Sequence, residues 1–101
     1  MNSQEADRSL EVRRVDERQR YEILVAGELA GFAEFRERDG RTIFTHTEVD
    51  ASYEGQGLAS RLVAGAIDDA VKRDRVIVPA CPYVARWLTR HDVPGARIES
   101  T

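Results

Sequence analysis

The spacing of apolar and polar positions changes from a period of two to a helical one close to residue 57. Before that point the apolar positions alternate. Leu10 and Val12 alternate with polar neighbours, Arg14 continues the phase, and residues 16–19 are polar. Tyr21, Ile23 and Val25 then alternate with Glu22, Leu24 and Ala26. A period of two marks strands with one buried face. Gly27-Glu28 follows, and glycine at the first central position suits a type II′ hairpin turn. Residues 29–35 read as the next strand. Asp39-Gly40 is a preferred type I′ pair, and 42–49 is rich in β-formers. Two tight turns in succession predict an antiparallel meander. With the first segment, it has four strands.

From Leu58 the apolar residues fall at Leu58, Ala59, Leu62, Val63, Ala66, Ile67, Ala70 and Val71, a broad stripe at helical spacing. Asp68 with Lys72, and Asp69 with Arg73, form i,i+4 pairs on the outer side, and the helix is expected to end near Arg73. Residues 75–80, RVIVPA, suit a strand covered on both faces. Strand, helix and strand then form a crossover, which joins parallel strands. A last helix begins at Pro82, a natural first-turn position, with Tyr83, Val84, Trp87 and Leu88 as its buried stripe. Pro94-Gly95 lies beyond its end. The expected fold is mixed α/β: four antiparallel strands, a crossover helix, a fifth strand parallel to the fourth, and a terminal helix. Residues 1–8 show no periodicity and are expected to be a flexible tail, leaving 9–101 as one domain.

Composition narrows the chemistry. The 101 residues are 42% apolar and 33% charged, the balance of a soluble globular domain. A net charge of −3 argues against a duplex nucleic-acid partner, which needs a basic face. One cysteine excludes an internal disulfide and a Cys-rich metal site, and two histidines disfavour a His-based one, so no metal is expected. No apolar run approaches 18 residues and the N-terminus lacks a signal-peptide pattern, so the expected setting is cytoplasmic, away from membranes. The expected state is a monomer or weak dimer.

In a sheet with parallel strands, ligands bind beyond the strands' carboxyl ends. Three features converge there. Tyr53-Glu54-Gly55-Gln56-Gly57-Leu58-Ala59 leads from the fourth strand into the long helix. Gly55 and Gly57 allow close backbone approach, and the N–H groups of the helix start suit a pyrophosphate. The same glycines equally serve a turn that needs positive φ. Cys81, before Pro82, is placed at the N-cap of the last helix. There the helix dipole favours its thiolate; its other reading is a small buried hydrophobe. His46 alternates with Phe44 and Glu48 on one strand face. His46 and Glu48 are base candidates, and equally a core histidine and a solvated carboxylate. Tyr83 is close enough to Cys81 to line a pocket. Trp87 and His91 read as packing or surface residues. Arg61, Arg86 and Arg90 read as solvated, although Arg61 in the first helical turn can reach a phosphate.

Taken in order, these residues resemble the GNAT superfamily of N-acetyltransferases. Its central motif, Arg/Gln-x-x-Gly-x-Gly/Ala, binds the pyrophosphate of acetyl-coenzyme A. The matching stretch is Glu54-Gly55-Gln56-Gly57-Leu58-Ala59, which departs from the motif at Glu54 and keeps the backbone cradle. The chain is most similar to the short, single-domain YjdJ-type members, through Thr45-His46-Thr47-Glu48-Val49, the glycine turn and Cys81-Pro82-Tyr83. The resemblance covers roughly residues 10–91. It implies that backbone around Val49 pairs with the pantetheine arm, and that Gly55, Gln56, Gly57, Leu58, Ala59 and Ser60 hold the pyrophosphate. The thioester would then lie near His46 and Cys81. It also implies an open acceptor site, because the chain lacks the helices that larger members insert after the first strand.

The expected function is acetyl transfer from acetyl-coenzyme A to a primary amine: a protein lysine, a polyamine or a small amine. Either His46 or Glu48 deprotonates the amine for direct attack, or Cys81 takes the acetyl group first. The competing reading is an acyl-coenzyme A sensor or interaction module without turnover.

Overall fold

A computed structural model describes residues 9–100; the tail expected over 1–8 lies outside these. Six strands form one sheet in sequence order: β1 (Leu10–Val15), β2 (Arg20–Val25), β3 (Glu28–Arg38), β4 (Arg41–Val49), β5 (Val76–Pro79) and β6 (Arg97–Ile98). Strands β1 to β4 are antiparallel neighbours, and β5 is parallel to β4. The crossover between β4 and β5 is helix α1 (Leu58–Lys72), and helix α2 (Pro82–Arg90) follows β5. Neither helix is long and apolar enough to cross a membrane. The mixed α/β class is as expected, with one strand more than the sequence indicated. The additional strand, β6, is two residues long and pairs in parallel with Val76 and Ile77. Both its residues are exposed, so it carries no burial pattern to read.

The core fills one face of the sheet. Leu58, Leu62, Val63, Ala66, Ile67 and Ala70 of α1 are buried against Tyr21, Ile23, Ala33, Phe35, Phe44 and Ile77, with Val84 and Trp87 of α2 in the same cluster. Each large apolar side chain so buried contributes about 1.5–3 kcal/mol, and this fixes α1, and thus its N-terminus, against the sheet. Gly65 lets α1 approach β1: a Cβ there would lie 2.9 Å from the Val12 side chain. At Gly31 a Cβ would lie 2.6 Å from the Glu48 carbonyl oxygen, so β3 and β4 meet closely where β4 ends. Lys72–Asp68 and Arg73–Asp69 pair at 3.0 and 2.7 Å, as the helical spacing predicted.

Both hairpins form, and one turn differs from expectation. Asp39 and Gly40 have φ of 51° and 80°, the type I′ geometry. The first turn is centred on Ala26-Gly27 (φ 50° and 85°), also type I′ and not a type II′ turn at Gly27-Glu28. Pairing of Val25 with Glu28 sets this register and forces Ala26 into the left-handed region.

A second difference bears on the site. The β3–β4 register shifts between Glu34, opposite His46, and Phe35, opposite Phe44. Thr45 is therefore the extra residue of a bulge, which reverses the alternation of β4. Phe44 points into the core, while Thr47, opposite the buried Ala33, returns to the helix side. His46 and Glu48 turn to the other sheet face beside Phe32, whose ring centroid is 6.1 Å from that of His46. The expected sharing of one face by Phe44, His46 and Glu48 does not hold.

Candidate functional site

β4 and β5 pair only between 41–44 and 76–79. The last link between the two segments is the Cys81 N–H donating to the Phe44 carbonyl at 2.7 Å. The chain then turns away into α2, with Cys81 at its N-cap (φ −78°, ψ 128°) and Pro82 in its first turn. β4 runs on through residues 45–49 with β3 on one side and, among the described residues, no strand on the other. This leaves a wedge whose apex is Cys81. The thiol is buried at 4% exposure, and its Sγ donates to Thr47 Oγ1 at 3.5 Å.

A cavity of about 310 Å³ opens from the wedge on the helix side. Thr47 and Val49 of β4 wall one side, and Tyr83 of α2 another. The floor is the segment that enters α1: Gly55, Gly57, Leu58, Ala59 and Ser60 all line it. Asp50 starts this segment by capping a single 3₁₀ turn, Ala51–Tyr53, where its carboxylate accepts from Ser52 N–H at 2.9 Å and Ser52 Oγ–H at 2.8 Å. The backbone hydrogen bond and then the hydroxyl hold the Asp50 carboxyl below its ordinary range. Gly55 and Gly57 both have positive φ, 82° and 73°, and a Cβ on either would meet nothing within 4 Å. Gly57 is the N-cap of α1, and among the described residues no side chain caps the N-terminus of that helix. The N–H groups of the first helical turn have no intrahelical acceptors, and they carry the positive end of the helix dipole.

The expected binding residues thus converge, Gln56 excepted: it is exposed and outside the lining. The catalytic candidates divide between two faces. Cys81 belongs to the helix side. His46 and Glu48 face the other way, 54% and 60% exposed, and form a pair with His46 Nε2 and Glu48 Oε1 3.1 Å apart. Because the wedge leaves β4 unpaired at residues 45–49, both faces border the same gap. Two lining residues were not singled out by the sequence reading. Thr47 could be found only by knowing of the bulge. Tyr53, whose hydroxyl lies 3.3 Å from Glu28 Oε1, was signalled only by adjoining the glycine segment, whereas Glu54 enters as the departure from the motif.

Comparison with known proteins places the chain in a family and matches its fold. The family model described as GCN5-related N-acetyl-transferase matches residues 20–95, and the chain belongs to that family. Among solved structures, the ribosomal-protein-S18-alanine N-acetyltransferase from Escherichia coli superposes with a TM-score of 0.57 at 25% identity, over 70% of this chain and 48% of that one. Ard1 from Thermoplasma volcanium superposes with a TM-score of 0.52 at 16% identity, over 58% of this chain and 41% of that one, a likeness of fold alone. The chain thus matches less than half the length of either. No curated protein sequence matches it.

Proposed function

We propose that the protein is an acetyl-coenzyme A-dependent N-acetyltransferase of the short YjdJ type, acting in the cytoplasm on an accessible primary amine. The observation that carries this reading is the meeting of an unpaired strand edge, residues 45–49, with an uncapped helix N-terminus across one cavity. An extended amide-bearing arm can pair with such an edge as an added strand would. A pyrophosphate can lie against the N–H groups that follow Gly57. Bound there, acetyl-coenzyme A supplies the activated acetyl thioester.

The chain's own residues then divide the work. Backbone around Val49 orients the arm, and the turn at 55–59, with Ser60, holds the diphosphate. His46 takes the proton that the attacking amine must lose. In the tautomer whose Nε2–H donates to Glu48, Nδ1 is the accepting nitrogen and Glu48 orients the ring. Cys81, buried and hydrogen-bonded to Thr47, forms the wall at the apex of the wedge. The exposure of the His46–Glu48 pair suits a large or extended amine such as a protein lysine or a polyamine.

The test is an amine screen that follows release of the coenzyme A thiol. Wild type is expected to acetylate at least one primary amine. His46→Ala is expected to lower kcat about 100-fold or more, the scale of a lost general base. Cys81→Ala should stay within about threefold of wild type, with no hydroxylamine-labile acetyl group on the intact protein. A labile adduct on wild type that Cys81→Ala abolishes would instead assign Cys81 as nucleophile. Tight binding with no turnover on any amine would make the chain an acyl-coenzyme A sensor.

A further inference from the structure

A second cavity of about 220 Å³ adjoins the first and shares Ser60 and Tyr83 with it. Its remaining lining is Arg86, Trp87, Arg90 and His91, all from α2 and its C-cap. Trp87 and His91 stack with ring centroids 4.0 Å apart and planes 9° from parallel. Trp87 Nε1 donates to Ser60 Oγ at 2.9 Å, and His91 Nδ1 lies 2.9 Å from the Trp87 carbonyl oxygen. These contacts hold the cavity's aromatic wall in place and tie it to the first turn of α1.

The two arginines have no such partners. Most cations of this chain are ion-paired: Arg13, Arg14, Arg18, Arg20, Arg41, Lys72, Arg73, Arg75 and Arg97 each face a carboxylate. Among the described residues, five arginine side chains have no carboxylate partner: Arg36, Arg38, Arg61, Arg86 and Arg90, and of these Arg86 and Arg90 line one cavity together. They stand at i and i+4 on one side of α2, a spacing at which like charges repel and weaken a helix. The helix dipole favours Arg90 near the C-terminus, but Arg86 lies mid-helix. Meanwhile the turn itself, residues 53–60, contains no cation and carries Glu54 at the cavity wall. The site therefore has backbone N–H groups in one cavity and paired, uncompensated guanidinium groups in the next.

We propose that Arg86 and Arg90 form a subsite for a phosphate monoester, the 3′-phosphate of coenzyme A, and so select coenzyme A over thioesters that lack it. This rests on the coenzyme A reading of the first cavity. Two guanidiniums one turn apart can bind a dianion with charge-assisted hydrogen bonds, and neither must first break an ion pair. Their attraction for the ligand offsets their mutual repulsion.

Calorimetric titration of the whole protein with coenzyme A and with 3′-dephospho-coenzyme A tests the assignment. Wild type is expected to bind coenzyme A at least tenfold more tightly than the dephospho form, with the ratio shrinking as salt is raised. Arg86→Ala/Arg90→Ala should bring the ratio to about one while leaving affinity for the dephospho form within twofold. Arg86→Lys/Arg90→Lys should recover part of the preference. Equal wild-type affinity for the two nucleotides would overturn the subsite and leave the first cavity's assignment standing, as would a preference that survives the double alanine variant. Failure of both nucleotides to bind would overturn the coenzyme A reading itself.

Discussion

At the scale of single residues, the least conventional position is Glu22. It alternates as a solvent-facing residue of β2 would, yet it is only 1% exposed. Arg20, Arg18 and Arg13 lie 2.9, 3.2 and 3.5 Å from its carboxylate. Burial alone would raise this carboxyl, but hydrogen bonds from Arg20 and then Arg18, with their charge, outweigh it and leave it below the ordinary range. Asp69 is similar. Burial pushes it up, but the Tyr21 hydroxyl at 2.6 Å and Arg73 at 2.7 Å bring it below its ordinary value. A carboxyl that is depressed in the folded state adds stability that is complete above its unfolded pKa. That stability is lost as pH falls through the folded value. Stability of the protein should therefore decline as pH falls below about 5. Glu22→Gln should lower stability at pH 7 by about 1–3 kcal/mol, because three arginines lose their shared anion, two of them half-exposed and so partly screened. The variant should also lose less than wild type on going from pH 7 to pH 4. Urea unfolding at the two pH values measures both, and an equal acid loss in the two proteins would remove Glu22 from the account.

Elements differ in how openly the sequence declared them. The meander and the crossover helix were legible from their periods and from the glycines at the hairpin turns and at the helix start, and the parallel strand from its apolar run closing at Pro79. The Thr45 bulge was not. Thr45-His46-Thr47-Glu48 has neither glycine nor proline to mark a break, and the extra residue is set by pairing with β3. One unseen residue there exchanged the faces of Thr47 and His46, so Phe44, His46 and Glu48 do not share the face that simple alternation gave them. The three Arg–Glu22 pairs escaped for a related reason, since alternation alone cannot distinguish a polar residue in water from one held under arginines. The turn before α1 was legible as a glycine turn of positive φ, and its role as a phosphate cradle belongs to the proposed function. Gly57 has the positive φ of a strained position and also an open Cβ direction beside the cavity. Gly57→Val is expected to weaken coenzyme A binding at least tenfold, about 1.4 kcal/mol, and to cost about 1–2 kcal/mol of stability from the left-handed φ. Calorimetry together with thermal unfolding separates the two effects; unchanged affinity in a folded variant would take the turn out of the site.

For the molecule as a whole, the arrangement is economical in length. The short 3₁₀ connection Asp16–Arg18 joins β1 directly to β2. The sheet face bearing His46 and Glu48 therefore borders the open side of the wedge, while α1 and α2 occupy the other. On the proposed function, cosubstrate and acceptor would approach from opposite faces and meet at the stretch of β4 that β5 leaves unpaired. Amide chemical-shift mapping with acetyl-coenzyme A tests this proposal most directly. Titration of the labelled protein is predicted to shift the amides of residues 45–49, of 55–60 and of the start of α2 in a saturable manner, leaving β1 and the Asp39-Gly40 turn unmoved. No saturable shift at millimolar acetyl-coenzyme A, or shifts confined to residues away from the wedge, would contradict it.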